Sequence, residues 1–214
     1  NVLLYGVPGS GKSWTIVHEY CKKDSKVERL VFHPDYTYSD FIGQILPNVA
    51  EDGQVSYKFT AGPFTNILLD AYTHPEEEYI LIIEEINRGN APAIFGEVFQ
   101  LLDRKVEIKD GDEDDGFPVG TSEYGITNAN IAKIVYGDPT RKVRIPSNLS
   151  ILGTMNTSDQ NVFTLDTAFQ RRWDMRLIEN NFDNVDPELA NAEILDTTIT
   201  WRNFCTAING IVVG

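Results

Sequence analysis

Val2-Leu-Leu-Tyr5, running straight into Gly6-Val-Pro-Gly-Ser-Gly-Lys-Ser13, is the stretch whose reading decides the fold. The apolar run has the length and bulk of a buried strand, and the segment behind it has the GxxxxGK[ST] spacing of a phosphate-binding loop. Backbone N–H groups must close around a phosphate there. Gly6 and Gly11 omit side chains that would block this approach, and Lys12 adds a positive charge. Ser13 can offer its hydroxyl to a magnesium ion. The expected nucleotide contacts are therefore Gly6, Pro8, Gly9, Ser10, Gly11, Lys12 and Ser13, with Trp14 directly behind them.

Outward from the loop, Trp14 to Lys23 has helical spacing, which would point a positive helix end at the phosphate. Val27 to His33 reads as a second strand. Tyr38 to Leu46 suggests a short helix started by Ser39, and 47–62 an insertion with a small hairpin through Val55-Ser-Tyr-Lys-Phe59. Pro63 to Tyr72 is a helix with Pro in its first turn. Tyr79-Ile-Leu-Ile-Ile83 is the continuous β-branched run of a strand buried on both faces of a parallel sheet. Asn90 caps a helix from Ala91 to Leu102, and 105–142 is a polar insertion containing short strands. Leu149 to Met155 is another buried strand, Thr164 to Arg171 a short helix, and Met175 to Ile178 a last strand. Strands alternating with helices imply an α/β fold, a parallel sheet between helices, with the ligand beyond the carboxyl ends of the strands. That core is expected over residues 1–183. Over 184–214, Leu189, Ile194, Trp201, Phe204 and Ile208 form an apolar helical stripe expected to be core.

The strand ends carry the chemistry that hydrolysis of a nucleotide requires. Glu84 is placed to bind magnesium through water, and Glu85 to act as base or water-polarising group. Asn156, closing the Leu149 strand, could hold the attacking water together with Asp159. The paired Arg171 and Arg172 suit an arginine finger offered to a neighbouring subunit, or helix-terminal charges favoured by the dipole.

Composition narrows the alternatives. The 214 residues carry a formal net charge of −14, which argues against this piece gripping a nucleic-acid backbone by itself. Part of that acidity is Asp110-Gly-Asp-Glu-Asp-Asp115, a solvated loop lacking the terminal Glu of a calcium site. Cys21 and Cys205 stand without CxxC spacing, and His18, His33 and His74 without a ligand pattern, so neither a disulfide framework nor zinc is expected. No run is long enough to span a membrane and no signal peptide is apparent, so the expected location is cytoplasmic. The abrupt start in a strand and the stop at Ile211-Val-Val-Gly214 suggest a cut from a longer protein.

In order, GVPGSGKS, IIEEINRGN, FGEVFQLLD, GTMNTSD and LDTAFQRRW resemble the AAA+ nucleotidases of the McrB family, the motor subunits of 5-methylcytosine-dependent restriction systems. The likeness extends over nearly the whole chain, including FHPDYTYSDFIG. It implies an AAA+ P-loop NTPase core with the start of a C-terminal helical lid, magnesium as cofactor, and GTP or ATP as substrate. It further implies assembly into a homo-oligomeric, hexameric ring, stimulation by a McrC-like nuclease subunit, and action on DNA through a domain absent from this chain. Lys12 and Ser13 then match the phosphate-loop pair, Glu84 and Glu85 the Walker B pair, Asn156 and Asp159 the signature residues, and Arg171 or Arg172 the finger. Two departures stand out. Glu84 replaces the commoner Asp and is one methylene longer, and Gln160 and Asn161 follow Asp159 where Arg is usual. The runner-up reading is a MoxR-like or dynein-like AAA+ ATPase that remodels protein complexes. A nucleotide-binding module without hydrolysis fits less well, because every catalytic element is represented.

Overall fold

The computed structural model describes residues 1–49, 52–108, 116–159, 162–179 and 185–213. The Asp110–Asp115 loop and the Gln160-Asn161 departure lie outside the described residues. The chain divides into two compact units, Asn1–Ile178 and Glu179–Gly214.

In the first unit, β1 (Val2–Gly6) leads through the glycine loop into α1 (Lys12–Thr15), which continues as a π-helical stretch Ile16–Tyr20. There follow β2 (Lys26–Val31), α2 (Tyr38–Phe41), the hairpin β3 (Gly43–Val49) and β4 (Val55–Ala61), α3 (Pro63–Thr73) and β5 (Tyr79–Glu84). A 3-10 turn Ile86–Arg88 precedes α4 (Ala91–Phe95), which passes into a second 3-10 stretch, Gly96–Leu102. After α5 (Ala129–Tyr136) come β6 (Leu149–Asn156), α6 (Thr167–Gln170) and β7 (Asp174–Leu177). The second unit holds α7 (Pro187–Ala190) and α8 (Trp201–Val213).

The central sheet has five strands in the order β2-β5-β6-β1-β7, and all its pairings are parallel. Parallel neighbours need crossovers, and these helices cover both faces. Alternation along each strand sends Leu3, Leu81, Ile83 and Ile151 into the larger core with Phe64, Phe95 and Phe169. Leu4, Ile80, Ile82 and Leu152 go to the other face with Ile16. That double burial is why β5 reads as an unbroken apolar run.

Several local expectations are corrected. The first helix stops at Tyr20 rather than Lys23. The second starts at a capping box in which Thr37 accepts from the Asp40 N–H and Asp40 from the Thr37 N–H, not at Ser39, and it ends at Phe41. The hairpin begins at Gly43, where a Cβ would meet the Thr60 carbonyl oxygen at 2.4 Å. The helix expected through Leu102 loses α geometry at Gly96, with φ +52°. Within 105–142 the described residues form α5 and single bridges, not strands. The signal for α5 was present: Asn128 accepts from the Ile131 N–H as cap, Ile131, Ala132 and Val135 make the apolar face, and Gly137 at φ +71° ends it. Finally, Leu189, Trp201, Phe204 and Ile208 are exposed rather than core; a unit this short has too little apolar surface to enclose them.

Candidate active site

Parallel register brings the functional positions to one edge of the sheet. Gly6 lies level with Asn156, and Ile83 with Gly153, so Glu84 emerges beside Thr154. The loop turns into α1 at Gly11, whose φ of +92° belongs to the region that favours glycine. Gly6 is needed for a further reason. A Cβ there would stand 2.4 Å from the Ile178 carbonyl oxygen, so the strand end packs too closely for any side chain.

Pro8, Gly9, Gly11, Lys12, Ser13, Trp14, Glu85, Thr154 and Asn156 line one cavity of about 340 Å³. Lys12 is buried and donates from Nζ to the carbonyl oxygens of Val7 at 2.8 Å and Gly6 at 3.1 Å. Burial pushes its pKa down, partly countered by the charges of Glu85, Asp159 and Glu84. The Ser10 hydroxyl is buried without a partner among the described residues. Trp14 is 61% exposed and stacks on His18 with ring centroids 4.0 Å apart.

Glu84 is gripped from three elements. Ser13 Oγ donates to its Oε2 at 3.0 Å, Thr154 Oγ1 donates to the same oxygen, and Arg29 of β2 holds Oε1 at 2.8 Å. The Ser13 hydroxyl and the Glu84 carboxylate are adjacent oxygen donors, the type hard magnesium takes when substrate phosphates complete its coordination. Among the described residues no cluster of three or more acidic, Cys or His side chains offers an all-protein metal cage.

Glu85 sits in a left-handed turn, φ +55° and ψ +44°, with its carboxylate accepting from Asn156 Nδ2 at 2.8 Å on each oxygen. The same amide reaches Asp159 Oδ2 at 3.2 Å. Arg88 pairs with Asp159 at 2.9 Å and with Glu85 at 3.5 Å. Its hydrogen bond, then that from Asn156, holds the Asp159 carboxyl below its ordinary range. Buried Asn87 donates to the Asn156 carbonyl oxygen and anchors that strand end. Arg29, Arg88, Asn87 and Thr154 were missed by motif reading. Arg88 and Asn87 stand inside the quoted IIEEINRGN and Thr154 inside the quoted GTMNTSD, so membership of those segments was an available signal; Arg29 had none.

The two arginines diverge. Arg172 is fixed within the chain: it binds Asp103 Oδ2 at 2.9 Å, donates to the Ala168 carbonyl oxygen and lies 3.9 Å over the Phe99 ring. Arg171 is exposed and lines a different surface cleft with Asp103, Glu107, Glu123 and Tyr124. Its side chain has no polar partner among the described residues. The cleft shares no lining residue with the phosphate-loop cavity.

The parallel α/β fold agrees with the comparisons. A model of AAA domains of the dynein-related subfamily matches residues 1–173. The chain is similar to the type II restriction enzyme BsuMI component YdiS of Bacillus subtilis strain 168, 35% identical over 84% of this chain and 57% of that protein. It is also similar to the type IV methyl-directed restriction enzyme EcoKMcrB subunit of Escherichia coli K12, 32% identical over 89% of this chain and 37% of that protein. It thus spans 57% and 37% of the length of these relatives. A solved structure from Cytophaga hutchinsonii covers 99% of this chain and 46% of its own at 17% identity and a TM-score of 0.43, too loose a likeness to bear on fold or function. No described helix is long and apolar enough to cross a membrane. With the family model covering most of its length, the chain belongs to the dynein-related subfamily of AAA domains and is a P-loop NTPase.

Proposed function

We propose that this chain is the nucleotide-hydrolysing motor domain of a modification-dependent, McrBC-like DNA restriction system. The observation that carries the reading is that two restriction-enzyme components are 35% and 32% identical to it over most of its length. One is a type II component and the other a methyl-directed type IV subunit, so what they share with this chain is the engine rather than the choice of DNA. The DNA target is therefore assigned to a domain outside this sequence, as the net charge of −14 also favours. A homo-oligomeric ring, hexameric by resemblance, and a McrC-like nuclease subunit are the proposed partners, with residues 184–214 beginning a helical lid.

In this reading the loop N–H groups and Lys12 bind the β- and γ-phosphates of GTP or ATP, which requires Lys12 to leave the carbonyls of Gly6 and Val7. Ser13 directly and Glu84 through water would hold magnesium, which when bound neutralises phosphate charge. Glu85 polarises water, and Asn156 and Asp159 orient it. Arg171 is the finger offered to the neighbouring subunit's γ-phosphate, because Arg172 is already committed to Asp103 and Phe99.

The experiment is a hydrolysis assay comparing GTP and ATP on the full-length protein, with and without its nuclease partner, followed by cleavage of modified and unmodified DNA. Hydrolysis stimulated by the nuclease subunit and coupled to DNA cleavage is expected. Hydrolysis coupled instead to disassembly of a protein complex would replace this reading with the remodelling one.

A further inference from the structure

The two acidic residues at the end of β5 share a partner inside the GTMNTSD segment, the Thr154 hydroxyl. Thr154 lies on β6, is 2% exposed and lines the phosphate-loop cavity. Its hydroxyl donates to Glu84 Oε2 and at the same time accepts from the Glu85 backbone N–H at 3.1 Å. A hydroxyl has one proton to give and lone pairs to receive, and here both capacities are spent on two consecutive residues. The bond to the carboxylate is charge-assisted, the stronger kind.

Both ends of this bridge matter geometrically. Glu84 carries two oxygens and a flexible stem, and Arg29 takes Oε1 from the β2 side at 2.8 Å. Thr154 holds Oε2, so that oxygen stays where Ser13 meets it at 3.0 Å. Glu85 adopts φ +55°, a left-handed conformation that is strained for a residue with a Cβ. Its N–H is bound by Thr154, its carboxylate by Asn156, and its carbonyl by the Arg88 N–H at 2.8 Å. These contacts keep the turn aimed at Asn156.

We propose that Thr154 is a positioning residue that locks the two carboxylates to each other, setting which oxygen of Glu84 faces Ser13 and holding the turn that presents Glu85. The proposal rests on the hydrolysis reading of the same site. It assigns to β6 a role in metal-dependent nucleotide binding in addition to Asn156.

The test uses T154V, which keeps the shape and removes both hydrogen bonds, and T154S, which keeps the hydroxyl. Binding of a fluorescent GTP or ATP analogue to the full chain is titrated with magnesium and repeated in chelator, beside thermal melting and steady-state kinetics. T154V should raise the half-saturating magnesium concentration about tenfold, the effect of losing one hydrogen bond to a charged group. Binding in chelator should stay within about twofold of wild type, and kcat should fall while KM in saturating magnesium moves little. T154S should restore the magnesium response. A wild-type magnesium response in a folded T154V would overturn the proposal and leave Thr154 as core filling, with the hydrolysis reading intact. If wild type itself bound nucleotide no better with magnesium, the metal reading of Ser13 and Glu84 would fall and the proposal with it. Should T154V not fold, T154S and T154A decide, since both lack the methyl and differ in the hydroxyl. An equal magnesium response in that pair would overturn the proposal.

Discussion

At the carboxyl ends of β5 and β6 each functional side chain is held by another of the same chain, whereas the end of α6 sends Arg171 into solvent. Glu84 has three side-chain partners, Glu85 has Asn156 and Arg88, and Asp159 has both of these. Directly beside Arg171, Arg172 is held by Asp103, Phe99 and the Ala168 carbonyl. The contrast teaches that the carboxylate cluster is organised within this chain, whereas Arg171 has no polar partner among the described residues. In the proposed reading, that leaves Arg171 available to the site of a second copy.

The strongest way to break that comparison is R171A. In the assembled protein it should lower kcat by about 10³-fold or more, the usual worth of an arginine finger, with nucleotide affinity and melting temperature unchanged. Steady-state hydrolysis measured across protein concentration checks this. Rates independent of both assembly and Arg171 would end the idea of completion in trans. E85Q addresses the other half. It should cost about 10²–10⁴ in kcat while equilibrium nucleotide binding stays near wild type, and undiminished turnover would show that another group handles the water. R172A should act on stability instead, lowering it by about 2 kcal/mol because a mostly buried guanidinium leaves Asp103 and an aromatic face behind. Denaturant unfolding measures this. A stable R172A with an R171A-like loss of turnover would exchange the roles of the two arginines.

Much of this was legible in the sequence where the physics is local. The glycine loop, the β-branched run of β5 and the strand-end Asn156 announce themselves because backbone approach, double burial and parallel strands each demand particular residue types nearby. Lys105 to Lys142 was harder. Its helix α5 is short, and its caps, Asn128 and Gly137, had to be weighed against a polar surrounding. The roles of Thr154, although it stands inside GTMNTSD, and of Arg29 were illegible for a different reason. Their roles come from strand order, which places residues 70 and 55 positions away from Glu84 within hydrogen-bond reach. The stripe Trp201, Phe204 and Ile208 shows the converse: its periodicity is right for a helix, and α8 forms, yet periodicity does not say whether anything in the same chain covers the face.

The smallest expected effect concerns the exposed rim of the organised half, the Arg88–Asp159 pair. Asp159 has its pKa held below the ordinary value of 3.8, first by the hydrogen bond from Arg88 and then by that from Asn156. A carboxyl depressed in the folded state adds stability that is fully present above its unfolded pKa and is lost as pH falls through the folded one. R88M should therefore be slightly less stable than wild type at neutral pH, and the gap should close only below 3.8. Because the Arg88 side chain is 52% exposed, added salt should shrink that gap too. Urea unfolding of both proteins from neutral pH into the acid range, at low and high salt, measures it. A gap that survives below the acid transition would mean that Arg88 stabilises through packing rather than through its charge. The Asp159 carboxylate would then owe its place to Asn156.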